Sequence, residues 1–208
     1  EYLHKGQALH DKYRHHPRIT TNYAPHAPYT VSDKTLQAIM INAEELDLPI
    51  QMHIHETAAE VNDSLTQYGK RPLARLKELG LLSPRLIAVH MTQLTEEEMD
   101  WCAEAGVHIA HCPESNLKLA SGFSPIAALI DRGVNISIGT DGAASNNDLD
   151  MFAEMRQTAI LAKGVAGDPS VVPAYQALEM ATINAAKSLG IDSVTGTLEI
   201  GKAADIIA

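Results

Sequence analysis

The sequence predicts an α/β fold in which short parallel strands alternate with helices. Three observations carry this expectation. Apolar runs at Ile50-Gln-Met-His53, Leu86-Ile-Ala-Val-His90, Val107-His-Ile-Ala-His111 and Ile136-Ser-Ile-Gly-Thr-Asp141 each read as a buried strand finishing in a polar residue. The polar positions His26, His53, His90, His111 and Asp141 recur at intervals of about 30 residues, the length of a βα unit. Between these runs, apolar residues follow helical spacing. Chemistry in parallel α/β proteins gathers at strand C-termini, so the same residues are the first candidates for function.

Taken in chain order, residues 1–18 are rich in His, Lys, Arg and Tyr and hold the end of a helix before Pro17. His4, His10, His15 and His16 lack strand-end placement and read as solvated surface. Strands are expected at 19–24, 50–54, 86–90, 107–111 and 135–140. Ser32 caps a helix in which Leu36, Ile39, Met40, Ala43 and Leu46 share a face, and Pro49 leads into the next strand. Pro72 suits a first helical turn, followed by Leu73, Leu76 and Leu79 and a stop at Gly80. Thr95-Glu-Glu-Glu98 is a capping-box pattern, with Gly106 closing that helix. Ser124-Pro125 opens another helix that ends near Gly133, and longer helices are expected at 148–163 and 173–189. Residues 195–208 read instead as a turn and short strands that begin a different small domain, giving units 1–194 and 195–208.

The 208 residues are 45% apolar and 20% charged, enough to bury a substantial core. A formal net charge of -10 argues against nonspecific binding to nucleic acid or an anionic membrane and favours a small-molecule partner. Cys102 and Cys112 form no CxxC pair and no disulfide framework, which fits a reducing cytoplasm. No apolar run is long enough for an ordinary transmembrane helix.

A metal-dependent hydrolase needs neutral imidazoles on rigid backbone and a carboxylate that moves protons from water to a leaving group. His53 and Glu56 satisfy both roles as an H-x-x-E arrangement. His53 and His55 are read as pointing to opposite faces of their strand, so that His53 alone faces the centre. Asp141 ends a hydrophobic strand beside Gly142 and can ligate a metal or accept a proton, while His90 can hydrogen-bond a hydrolytic water. Each match taken singly is also met by a capping Asp or a satisfied buried His; the joint order along consecutive units is what carries the reading.

These residues are joined by Ala24-Pro-His-Ala-Pro-Tyr-Thr30, His111-Cys-Pro-Glu-Ser-Asn-Leu-Lys-Leu-Ala-Ser-Gly122 and the stretch Gly139-Thr-Asp-Gly-Ala-Ala-Ser-Asn-Asn-Asp-Leu-Asp-Met-Phe152. On these strings the chain, from about Ile19 onward, resembles the amidohydrolase superfamily, in its 5-methylthioadenosine/S-adenosylhomocysteine deaminase branch. The resemblance implies a (β/α)8 barrel (a TIM barrel) beside a small β-sandwich, with one divalent metal, usually zinc. By motif, His53 and Asp141 match metal ligands, and Glu56 matches a proton shuttle that also touches substrate. His90 matches the histidine beside the hydrolytic water, and His26 a substrate-contacting histidine. Asp141 combines catalytic, metal and substrate roles; His111 and His55 are expected to be supporting or structural. The implied reaction is hydrolytic deamination of an adenine-type ring to an inosine-type nucleoside and ammonia. A homo-oligomer is compatible with the resemblance.

The family's first two metal ligands form an H-x-H motif at the end of barrel strand 1, upstream of everything here; His15-His16 and His53-Ile-His55 are not substitutes, the former being adjacent and the latter already assigned to a later strand. The expected strands correspond to barrel strands 4 to 8, so the chain reads as the C-terminal portion of a longer enzyme and is expected to be inactive by itself. A dinuclear relative carries a bridging lysine on strand 4, whereas 19–30 contains no Lys, which favours one metal. The H-x-E with P-C-x-x-C signature of nucleic-acid base deaminases does not occur. Guanine-type deaminases, triazine or other heterocycle aminohydrolases and chlorohydrolases share the metal logic and stay open as alternatives, as does a non-catalytic scaffold that kept the βα framework.

Overall fold

The computed structural model describes residues 2–207. Strands β1 (Ile50–Ile54), β2 (Leu86–His90), β3 (His108–His111) and β4 (Ile136–Ile138) lie side by side in chain order, and every neighbouring pair is parallel. Helices α1 (Tyr2–Tyr13), α2 (Asp33–Leu46), α3 (Ala58–Tyr68), α4 (Pro72–Glu78), α5 (Glu96–Ala105) and α6 (Pro113–Lys118) are followed by α7 (Ile126–Asp131), α8 (Ala143–Asn146), α9 (Met151–Ala166), α10 (Ala174–Ala181) and α11 (Ile183–Ser188). The expected α/β alternation is therefore present.

Local chemistry explains the boundaries. Ser32 accepts the backbone N–H of Thr35 at the start of α2, and Leu36, Ile39 and Ala43 form its buried face. Thr95 and Glu98 make both halves of the capping box on α5, and Gly106 ends that helix at φ +68°. Pro72 occupies the first turn of α4, where its missing N–H costs nothing. In β1 the alternation is clear: Ile50, Met52 and Ile54 are buried, while Gln51 is exposed and His53 half-buried on the other face. All of β2 and β4 is buried, as central parallel strands require. The core joins these strands to Leu36, Leu73, Leu76, Ile126 and Leu129, each such side chain stabilising the fold by roughly 1.5–3 kcal/mol.

Three expectations need correction. The strand expected at 19–24 is reduced to one parallel bridge between Tyr23 and Ile50. Tyr23 donates to the Pro49 carbonyl at 2.9 Å and accepts from Gln51 at 2.8 Å, but Pro25 and Pro28 have no N–H with which to extend a ladder. The segment still follows β1 as far as His26, whose carbonyl accepts the His53 N–H at 3.1 Å. The helix expected at 173–189 is two, broken at Thr182 (φ -128°, ψ -94°). There the Thr182 hydroxyl donates to the Leu178 carbonyl at 2.7 Å, competing with the helical ladder. Finally, residues 195–207 contain turns but no strand. They fold back over α11, with the Ala203 N–H on the Val194 carbonyl and Gly196 at φ +95°, where an added Cβ would lie 2.9 Å from the Cβ of Ala186. A strand exists only by pairing, and nothing among the described residues pairs with this stretch.

Candidate metal centre

The four strand ends and the loops after them build the site. His53 is the inward-facing residue near the end of β1. The His26 carbonyl oxygen lies 3.0 Å from its Nδ1; a carbonyl can only accept, so Nδ1 carries the proton and the lone pair is left on Nε2. His90 ends β2 and is 1% exposed. Its Nδ1 is 2.8 Å from Asn116 Oδ1, which fixes the same tautomer and leaves its Nε2 free to face the site. Asp141 follows β4, and its Oδ2 accepts hydroxyl protons from Ser115 at 2.8 Å and Ser145 at 2.7 Å. Burial opposes ionisation of Asp141, but Ser145, Ser115 and the Gly142 N–H, with His90 nearby, hold its carboxyl below the ordinary aspartate value.

Donor atoms of His53, His90 and Asp141 all lie within 4.8 Å of one another. Two imidazole nitrogens with preset tautomers and one ionised carboxylate form the N and O donor set that suits zinc and similar divalent ions. The residues present therefore fit a divalent metal. His90, expected beside the water rather than on the metal, stands in the same group, its ring centroid 5.2 Å from that of His53.

Glu56 joins the site from the loop after β1. Its Oε2 is 3.8 Å from His90 Nε2, and Ser121 Oγ is 3.4 Å from its Oε1. The exposed His26 sits at the rim, its ring 4.9 Å from the His53 ring and edge-on to Tyr29 at 6.5 Å. Positive φ angles cluster at these strand ends, at His55 (+53°), His90 (+75°), Met91 (+52°) and Asp141 (+61°). Backbone held in a region that non-glycine residues avoid is a mark of functional loops.

His55 and His111 stay outside the donor group. The separation of His53 from His55 has a different cause from the one expected, because strand alternation puts residues two apart on one face. The strand stops at Ile54, and the left-handed turn at His55 swings its ring into the protein. There His55 is fully buried, its Nε2 accepts the Leu73 N–H at 3.1 Å at the start of α4, and its Nδ1 is 3.7 Å from Glu98. Glu98 is in turn paired with Arg71 at 2.7 Å. His111 is buried at the end of β3, and its Nδ1 has no hydrogen-bond partner among the described residues.

Burial pushes His55 down to about 4 and His111 to about 3, the latter with help from His90, against an ordinary value of 6.5. Between pH 6.5 and those values the unfolded chain binds protons that the folded chain refuses, so folding stability falls on acidification. The expected loss is on the order of 2–3 kcal/mol for each histidine between pH 6.5 and 4. Urea unfolding of the metal-free chain at pH 7 and pH 4.5 measures it. Replacing His111 by Gln should remove about half of the difference, leaving the share of His55; an unchanged pH dependence in that variant would exclude His111 as a source.

Sequence reasoning passed over Asn116, Ser115, Ser145, Thr92 and Ser121. Ser115, Asn116 and Ser121 lie inside the His111–Gly122 string and Ser145 inside the Gly139–Phe152 string, where local polarity is the available signal; Thr92 lies in neither.

The sequence profile of the amidohydrolase family matches residues 3–208, and the chain belongs to that family. It is 52% identical over its whole length to a 5-methylthioadenosine/S-adenosylhomocysteine deaminase from Teredinibacter turnerae, covering 47% of that protein. Among solved structures it is similar to an adenosine deaminase from Xanthomonas campestris with bound zinc. That likeness has a TM-score of 0.96 and 56% identity, and covers 98% of this chain and 46% of the other. An atrazine chlorohydrolase from Arthrobacter aurescens in complex with zinc is similar at a TM-score of 0.87 and 30% identity, with 97% of this chain and 45% of the other covered. The chain spans about half the length of these relatives. Its parallel strands are part of the (β/α)8 barrel of this family, and no helix among the described residues is long and apolar enough to cross a membrane.

Proposed function

We propose that the protein carrying this chain hydrolyses the exocyclic amine of adenine-type nucleosides, above all 5′-methylthioadenosine and S-adenosylhomocysteine, to an inosine-type product and ammonia. The observation that carries this reading is the placement of Glu56 Oε2 3.8 Å from His90 Nε2, beside the grouped donors of His53, His90 and Asp141. A proton-carrying acid and a water-activating group then share one small volume. The 52% identity to a deaminase of this specificity supports the choice of substrate.

In this reading His53 and Asp141 hold one divalent ion, zinc for preference, with His90 next to them. When bound, such an ion supplies Lewis acidity that makes water a nucleophile at neutral pH. Asp141, kept ionised by its two serine donors, accepts a proton from the attacking water. His90, oriented by Asn116, keeps that water on line toward C6 of the purine. Glu56 gives a proton to the neighbouring ring nitrogen and then to the departing amine, taking over protons released from the water. His26, at the rim, contacts the substrate, as do Glu56 and Asp141.

The remaining parts of the proposal are architectural. Residues 1–194 are assigned to the C-terminal part of the barrel and residues 195–208, which carry turns and no strand of their own among the described residues, to the segment that leads into a β-sandwich; the assembled protein acts on a free nucleoside rather than on nucleic acid or a membrane, with a homo-oligomer allowed. Cys102 and Cys112 are buried free thiols, Cys102 pushed up to about 12 by burial, which suits a reducing cytoplasm. Residues 1–208 expressed by themselves are expected to give no zinc-dependent deamination, because the H-x-H ligands of the family are not among them; turnover above background by this polypeptide would contradict that.

A second reading, a triazine or guanine-type aminohydrolase or chlorohydrolase, is supported by the 0.87 TM-score to the atrazine enzyme. Initial rates on methylthioadenosine, adenosylhomocysteine, adenosine, guanine and melamine separate the two. The proposal expects the two thioether nucleosides to be fastest, and melamine or guanine as the best substrate would replace it with the second reading. Zinc content near zero in the full-length protein would favour the scaffold instead.

A further inference from the structure

We infer that Glu60 is a positioning residue that holds Glu56 in its working place, an inference that rests on the proposed role of Glu56. The loop from Ile54 to Thr57 must leave β1, turn sharply and present Glu56 to His90. Its two central N–H groups both end on one side chain: Glu60 Oε1 accepts from His55 at 3.1 Å, and Glu60 Oε2 accepts from Glu56 at 2.7 Å. A single carboxylate thus bridges consecutive peptides, one of them in the left-handed conformation at His55.

The same peptides are pinned from the other side. Thr92 donates its N–H to the His55 carbonyl at 3.0 Å and its hydroxyl to the Glu56 carbonyl at 2.7 Å. The buried His55 ring is anchored on the Leu73 N–H. Donor and acceptor of the Glu56 residue are therefore both tied, and its carboxylate is carried on a backbone with little freedom.

Glu60 stands where a simple helix cap would be expected, which makes the geometry informative. It is the third residue of α3, after the cap residue Thr57, whose Oγ1 accepts the Glu60 N–H at 3.1 Å. A capping box would return the Glu60 side chain to the Thr57 N–H. It reaches past Thr57 to the two preceding residues instead, toward the site. A displacement of about 1 Å in a catalytic group can cost on the order of a hundredfold in rate, so this clamp acts on catalysis without touching substrate.

The test compares Glu60→Gln, Glu60→Asp and Thr57→Ala in the full-length, zinc-loaded protein. Each is assayed for bound zinc, for kcat and KM with 5′-methylthioadenosine, and for hydrogen exchange at the His55 and Glu56 amides. Glu60→Gln keeps one acceptor and sets an amide donor against the second N–H. It should retain zinc, hold KM within about threefold and lose about 10- to 100-fold in kcat, with exchange at both amides at least about tenfold faster. Glu60→Asp, too short to bridge both peptides, should fall between it and the wild type, and carries the test if Glu60→Gln does not fold. Thr57→Ala removes the helix cap but leaves the clamp, and should stay within about threefold of wild-type kcat.

An unchanged kcat in both Glu60 variants, or an equal fall in Thr57→Ala, would overturn the inference, as would a loss of bound zinc that accounts for the lower rate. If the wild type deaminates none of the nucleosides, the functional reading fails by itself. Amide exchange then still decides the clamp: protection kept in Glu60→Gln refutes it, and protection lost at His55 and Glu56 but kept at Met91 upholds it.

Discussion

Replacing Asp141 by Asn is expected to lower kcat/KM for 5′-methylthioadenosine by about 10³-fold or more and to weaken zinc retention. The size of the effect follows from the convergence of roles on one carboxylate. Asp141 is the one anionic donor in the group with His53 and His90, and its ionised form is favoured by hydroxyl protons from Ser115 and Ser145. Asn keeps the shape but removes both the charge that attracts a cation and the base that accepts a proton, and general-base catalysis alone is worth about 10²–10⁴. Single Ser115→Ala and Ser145→Ala changes should cost far less, since each leaves the other donor in place. Zinc analysis and steady-state kinetics on the three variants check this ordering; an Asp141→Asn enzyme with near wild-type turnover would remove Asp141 from the chemistry.

Glu56→Gln separates proton transfer from metal binding. The substitution is isosteric, leaves the Glu56 N–H on Glu60 and its carbonyl under Thr92, and replaces none of the three grouped donors, changing only the charge 3.8 Å from His90 Nε2. Bound zinc and KM are therefore expected to stay near wild type while kcat falls by about 10²–10⁴, the range for loss of a positioned acid. Loss of zinc in Glu56→Gln would instead put this carboxylate on the metal, and an unchanged kcat would give its role to another group. The pair of variants thus distinguishes a residue that both holds the metal and moves protons from one that only moves protons.

His53, Glu56, His90 and Asp141 were legible because each polar residue ends, or just follows, an apolar run, and burying a polar group at a strand end demands a use for it. The parallel order of the strands was equally open to reading from helical and strand periodicities. The remainder depended on contacts far apart in the chain or on single backbone angles. His55 swings inward through one positive φ that no pattern announces. Tyr23 forms only a bridge because prolines on either side of His26 interrupt donors that composition alone suggests.

Helix α3 has Asn62, Asp63, Ser64 and Thr66 in a stretch with weak helical propensity, and it is held by Thr57 and Gly69 at its ends. The break at Thr182 lies in the backbone angles of a single residue. Asn116 meets His90 across 26 residues of sequence, and such a pair is visible only once β2 and helix α6 are brought together.

The proposed function requires that residues of this chain form part of a mononuclear metal centre for deamination. Ammonia release from 5′-methylthioadenosine by the full-length protein, measured after chelation and during stepwise return of zinc, tests it most directly. Activity is expected to disappear on chelation and to return in full at one zinc per chain, with one ammonia for each inosine-type product. Activity that survives chelation, recovery that needs two zinc ions per chain, or no ammonia at any zinc level would contradict it.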